Sequence, residues 1–71
     1  MDMPIRELQP HQQRVVEEKR ELDEKIEKLA TFIGSGPTFP KLSLHEQDLL
    51  KQQLGHMLAY AQVLTLRIAG F

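Results

Sequence analysis

Residues 57–71 read MLAYAQVLTLRIAGF, and the spacing within them decides the fold. Met57, Ala61, Leu64 and Ile68 recur at intervals of four, three and four, which puts them on one face of an α-helix. Leu58, Ala59, Tyr60, Val63 and Leu66 lie on the other faces, so the helix is apolar almost all the way round. Such a helix is buried on several sides. The chain has 71 residues, and its one other long segment, the charged stretch before Gly34, can cover a single face. The remaining apolar surface therefore calls for another copy or a different partner.

A chain of this length makes one domain at most and rarely buries enough apolar area to be comfortably stable alone. There is no cysteine, so no disulfide can help. His11, His45 and His56 have neither metal-ligand spacing nor carboxylate company, and we expect no metal and no cofactor. Self-association is the stabilising device left. The lack of cysteine makes a cytosol the default compartment. The first residues lack the pattern of a signal peptide, and the apolar C-terminal stretch, interrupted by Gln62, Thr65 and Arg67, is too short to span a bilayer. Nine Lys and Arg stand against ten Asp and Glu, and the bases of the first helix have acidic neighbours. Long nucleic acid needs an uninterrupted basic face and is not an expected partner. A compact anion held by a few converging cations remains compatible with this balance.

The organisation follows from the breakers. Residues 1–10 read as a short N-terminal arm, in which Asp2 caps a turn starting at Pro4, Ile5 and Leu8 tuck against the body, and Pro10 ends the arm. Residues 11–71 form the hairpin. Its first helix runs over residues 11–33, rich in helix formers and free of Gly and Pro, with Glu21–Lys25 and Glu24–Lys28 pairs on the exposed face, each contributing about 0.3 kcal/mol. Gly34 sits where a left-handed C-terminal cap is expected. The loop, residues 34–43, contains two glycines and two prolines, and Phe39 and Leu42 are its expected anchors. The second helix covers residues 44–69. It starts at Ser43, which is followed three residues later by Glu46 as in a capping box, and stops at Gly70. The fold class is all-α: an antiparallel two-helix hairpin assembled as an oligomeric helical bundle. Folding about Thr38 sets Ile33 near Gln47, Ile26 near Leu54 and Val15 near Leu64.

Lys19 interrupts the apolar face formed by Val15, Leu22, Ile26, Leu29 and Ile33. One reading has its stem cover apolar surface while the ammonium reaches the edge and pairs with Asp23. The other has a cation held beside the seam waiting for an anion, because an uncompensated charge there costs several kcal/mol. His56, Tyr60 and Arg67 fall within about 40 degrees of each other on a flank of the second helix, with Gln53 and Val63 beside them. Tyrosine and guanidinium planes stack on bases, and arginine forks onto phosphate. An ordinary subunit interface enriches the same residue types. Arg14 and His11 come near the level of Arg67 and collect cations at one end, although Glu17, Glu18 and Glu21 lie close enough to neutralise them.

Gly55 lies one turn from Ala59, on the side of the second helix opposite its hairpin face. A glycine inside a helix costs about 1 kcal/mol relative to alanine, and close approach of another subunit is its expected reason. Gly55 and Ala59, together with Val63 and Leu66, make up the expected oligomer interface. Gly34-Ser35-Gly36-Pro37 follows a helix rather than a strand, so it reads as a helix end and a turn rather than a phosphate loop. Catalysis finds no support: there is no cysteine nucleophile, Ser35 and Ser43 have structural explanations, and no histidine has a carboxylate positioned to orient it.

The stretch RVVEEKRELDEKIEKLATFI, the Gly and Pro loop with a phenylalanine, and the pattern L-x-x-x-E-Q-x-L-L-x-x-Q-L-x-x-M-x-x-Y-x-x-V-L-x-x-R-I resemble the small helical-hairpin proteins of tailed phages, including crAss-like phages. The resemblance covers Gln12 to Phe71. Compact helical phage proteins of this type include sponges for the cyclic oligonucleotide messengers of CBASS immunity, which assemble as tetramers or hexamers. The resemblance implies a non-enzymatic, immune-evasion role in the host cytosol, in which the protein sequesters a cyclic dinucleotide such as 3'3'-cGAMP between subunits without cleaving it. It marks Gln53, Met57, Tyr60 and Arg67. On this reading Arg67, Lys19 and Arg14 meet phosphates, Tyr60, Gln53 and His56 meet bases, and the homo-oligomer is a tetramer. The alternative is an oligomeric protein-interaction module that inhibits or scaffolds a host or phage protein through its apolar second helix.

Overall fold

A computed structural model describes residues 8–71. The turn expected at Asp2 and Pro4 and the contact expected of Ile5 lie outside the described residues. Helix α1 spans Pro10–Ser35, a single 3-10 turn spans Phe39–Lys41, and helix α2 spans Leu44–Ala69. There is no strand among the described residues. The two helices pack as an antiparallel hairpin: Val15 near the start of α1 shares one core cluster with Leu64 near the end of α2.

Burial follows a strict period. In α2 the residues removed from solvent are Gln47, Leu50, Leu54, Met57, Ala61, Leu64 and Ile68, spaced alternately three and four apart, and every other position is exposed. In α1 the matching series is Gln12, Val15, Lys19, Leu22, Ile26, Leu29 and Ile33. This is the 3.5-residue repeat that keeps one helix facing another along their whole length. Val15, Leu22, Ala61 and Leu64 form the buried cluster, and Ile26, Met57, Ile68 and Phe71 pack against it. The molecule measures 54 × 20 × 15 Å. One helix with its side chains is already about 10–12 Å across, so neither helix has a second side covered.

Helix α1 begins one residue earlier than the sequence suggested and ends two later. Pro10 starts the helix instead of closing the arm, because a proline at the first helical position has no amide to leave unpaired. The Gln9 carbonyl accepts from the amides of Gln12 and Gln13 at 2.9 Å, and Gln12 Oε1 accepts from the Gln9 amide at 2.8 Å. At the other end Gly34 is not a left-handed cap. No glycine among the described residues has positive φ, and the helix runs through Gly34 to Ser35, whose hydroxyl donates to the Thr31 carbonyl at 3.2 Å. Pro37 sets the end, because it bars the preceding residue from helical backbone, and Gly36 is extended at φ −72°, ψ 135°. Gly36 is needed for space: a Cβ there would stand 2.6 Å from the Phe32 carbonyl oxygen.

The loop is tied into the end of the hairpin. Phe39 is buried and meets Phe32 edge-on at 6.1 Å between ring centroids, while the Lys51 ammonium lies 6.0 Å from the Phe39 ring. Gln47 donates to the Leu42 carbonyl at 3.0 Å and to the Pro40 carbonyl at 3.4 Å, which satisfies backbone groups that the loop itself cannot pair. The Ser43 hydroxyl accepts from the Glu46 amide at 3.1 Å and caps α2. At its far end the Gly70 amide donates to the carbonyls of Leu66 and Arg67.

Three substitutions test this account by equilibrium urea unfolding. Leu64 is 1% exposed, and Leu64→Ala is expected to cost about 3 kcal/mol. Gly34→Ala should stabilise, by about 0.5 kcal/mol, since the site is helical, in the last turn of α1, with open space around it. Gly36→Ala should destabilise, and an equal effect of the two glycine substitutions would contradict the placement of the helix end.

Candidate functional site

The two helices divide the chemistry between them. α1 carries the charge, and α2 from Gln52 to Leu66 has no Asp, Glu, Lys or Arg at all. On the outer face of α1, Arg20 bridges Glu17 and Glu24, the latter at 2.7 Å. Among the described residues the expected Glu21–Lys25 and Glu24–Lys28 pairs are not the ones formed; Glu24 is taken instead by the Arg20 guanidinium fork, which also reaches Glu17. The Arg20 hydrogen bond holds the Glu17 carboxyl below its ordinary range. A lowered carboxyl pKa contributes stability above the unfolded value and loses it as pH falls through the folded one. These groups are solvent-exposed, so that contribution is small.

The exposed apolar side chains gather on α2. Leu49, Leu58, Tyr60, Val63 and Leu66 are each between 43% and 65% exposed. One open groove of about 610 Å³ lies on this helix, lined by Leu49, Gln52, Gln53, His56, Met57 and Tyr60. Gln53, His56 and Tyr60 therefore do converge, since positions 53, 56 and 60 are three and four residues apart on one side of a helix. Gln53 Nε2 stands 4.0 Å from Met57 Sδ, so its amide lies beside the thioether. The groove offers a flat aromatic ring, an amide and an imidazole above a thioether. Such a set suits a planar heteroaromatic group with hydrogen-bonding edges.

Arg67 is not part of the groove lining. It is exposed on the same flank of α2, seven residues past Tyr60, which is about 10 Å along the axis. Arg14 is exposed on α1, and neither arginine forms an ion pair among the described residues. Lys19 is different. Its ammonium is 2.6 Å from Asp23 Oδ2 and its side chain is 25% exposed, the arrangement of a stem lying on the seam with its charge at the edge. A Cβ added at Gly55 would meet nothing within 4 Å. Gly55, Ala59, Val63 and Leu66 are all open to solvent in the single chain.

Leu49 and Gln52 belong to the groove although the sequence reading singled out neither. The signal was present, since both sit one turn before residues that were chosen. Met57, a hairpin-face residue that the resemblance also marks, borders both surfaces: it packs against the core cluster and lines the groove. Among the described residues no group of His, Cys, Asp or Glu is placed to hold a metal ion, and no helix is long and apolar enough to cross a membrane.

The model of the family described as Sequestin matches residues 9–70, from the N-cap of α1 to the C-cap of α2. The chain belongs to the Sequestin family. Neither a curated protein nor a solved structure matches it. The name Sequestin denotes sequestration, which implies a binding role and directs attention to the groove rather than to any reactive group. In this Sequestin chain the match spans both helices and the loop, so the hairpin as a whole is the family unit.

The position of Lys19 yields a test. Lys19→Met places an unbranched apolar side chain on the seam without stranding a buried charge, so the midpoint of thermal unfolding followed by circular dichroism should hold or rise. A fall of several degrees would mean that the Lys19–Asp23 pair supports the hairpin.

Proposed function

We propose that this protein is a phage immune-evasion protein that binds and sequesters cyclic dinucleotide messengers, such as 3'3'-cGAMP, without cleaving them, and so blocks CBASS-type defence in the host cytosol. The observation that carries this reading is the convergence of Gln53, His56 and Tyr60 in one open groove of a Sequestin-family hairpin. Tyr60 stacks on a base, for about 1–3 kcal/mol, and Gln53 and His56 take its edge. Arg67 and Arg14 meet phosphate oxygens, and Lys19 joins them by exchanging Asp23 for phosphate. The protein acts as a homo-oligomer, a tetramer, in which Gly55, Ala59, Val63 and Leu66 meet other copies. No cofactor enters this reading. The phage source and the messenger class rest on the resemblance described above.

The exposed Leu58, Val63 and Leu66 favour a second reading, an interaction module whose α2 engages a host or phage protein. Melting of the purified protein against a panel of cyclic dinucleotides and trinucleotides, with mass by light scattering, separates the two. A sponge at 100 times its Kd gains about 2.7 kcal/mol, which in a chain of this size raises the melting temperature by about 10 °C or more. No shift with any messenger would leave the protein-binding reading. Arg67→Ala and Tyr60→Ala, each with unchanged assembly mass, should weaken messenger binding at least about tenfold, since each removes a contact worth 1.4 kcal/mol or more. Unchanged affinity in both would remove these residues from the site.

A further inference from the structure

The groove lining contains no Lys or Arg. A ligand that carries phosphate takes its strongest hydrogen bonds from one of these, so a cation should stand at the groove's edge. The way the two helices face each other places one there.

In α1 the seam residues Gln12, Lys19, Ile26 and Ile33 are each preceded by a residue of one flank: His11, Glu18, Lys25 and Phe32. The equivalent seam residues of α2, Gln47, Leu54, Ala61 and Ile68, are preceded by Glu46, Gln53, Tyr60 and Arg67. Two right-handed helices packed antiparallel are related by a local two-fold axis standing on the seam. That axis carries each flank onto its equivalent, so the two rows border the same side of the hairpin. Gln53 and Tyr60 are groove residues, and Lys25 therefore stands on the groove side of α1. Val15 and Leu64 share the core cluster, and with the two at one level the equal rise of both helices sets Lys25 level with Leu54, next to Gln53. Met57 both lines the groove and packs against the core, so the groove reaches to the seam that Lys25 flanks.

The other cations are placed differently. Asp23 follows the seam residue Leu22 and lies on the opposite flank, and Lys19 leans toward it, 2.6 Å away. A phosphate in the groove thus meets Lys25 before Lys19. Arg67 is on the groove side but stands about 21 Å along the axis from Gln53. Lys25 is exposed and forms no ion pair among the described residues. Its charged neighbours one turn to either side, Glu21 and Lys28, are opposite in sign and turned further from α2. Glu18 and Glu46, the acids of the two rows, lie about 10 Å and 12 Å from its level along the axis. Packed helix axes are about 8–10 Å apart, a gap that a four-carbon stem largely spans.

We infer that Lys25 is the phosphate-binding cation of the groove. The ligand is then held between both helices of one chain, with ring, amide and imidazole supplied by α2 and charge by α1. This inference rests on the cyclic dinucleotide reading for its ligand.

Calorimetric titration with 3'3'-cGAMP at fixed ionic strength tests it. Lys25→Gln should weaken binding about tenfold or more, since it removes a charge-assisted hydrogen bond, and Lys25→Arg should keep most of the affinity. Lys28→Gln makes the same change in net charge one turn away and should alter affinity less than about twofold. Both positions are exposed, and equal melting temperatures without ligand would show that the variants fold alike. Unchanged binding by Lys25→Gln overturns the contact. Equal losses in Lys25→Gln and Lys28→Gln also overturn it, because they reduce the effect to net charge. Wild-type protein that does not bind 3'3'-cGAMP would sink the messenger reading and this contact with it, whereas wild-type binding indifferent to Lys25 would sink the contact alone.

Discussion

A helix-to-helix contact of 3.5-residue period is the constraint on which this molecule depends. Two helices in contact can cover only one stripe of each other, and here the covered stripes run from Gln12 to Ile33 and from Gln47 to Ile68. Outside them, every other position of α2 faces solvent. For α1 that outcome costs little, because most of its outer positions are Glu, Lys, Arg or other polar residues. For α2 it leaves Leu49, Leu58, Tyr60, Val63 and Leu66 uncovered, and so the same packing that closes the hairpin creates the surface available for binding.

The loop end shows how a small core is kept closed at its tip. Phe39 fills the space between the helices, Phe32 meets it edge-on, and the Lys51 ammonium sits near its ring. Gln47 occupies a seam position yet is polar, and its amide serves loop carbonyls instead of the core. The pairing of groups at this end fixes the level at which α2 starts along α1, and with it the height of every residue in the groove. An error of one turn here would bring a different set of side chains opposite Val15 and Leu22.

The partition of charge has a functional reading. Two cations of α1 are occupied locally: Arg20 by Glu17 and Glu24, and Lys19 by Asp23. Such pairs add little stability at exposed positions, but they keep α1 from presenting a basic face to polyanions. Arg67 instead stands on the exposed, nearly uncharged side of α2, where its guanidinium has no acidic residue within two turns before it in sequence.

Much of the fold was legible in the sequence because it depends on local rules. The period of Met57, Ala61, Leu64 and Ile68 named the helix and its buried face, and Ser43 with Glu46 marked its start. The spacing of Gln53, His56 and Tyr60 also placed them on one flank before any coordinates. The end of α1 was misread at Gly34, since glycine tolerates a cap without requiring one, and the stop lies with Pro37 acting on Gly36. The sequence offered Asp23 as one partner of Lys19, and the structure pairs the two at 2.6 Å. Leu49 and Gln52 joined the groove only in three dimensions. Periodicity is a property of one helix and can be counted along the chain, whereas a cavity depends on side-chain volumes and directions, and whether a charge is free depends on which neighbour reaches it first.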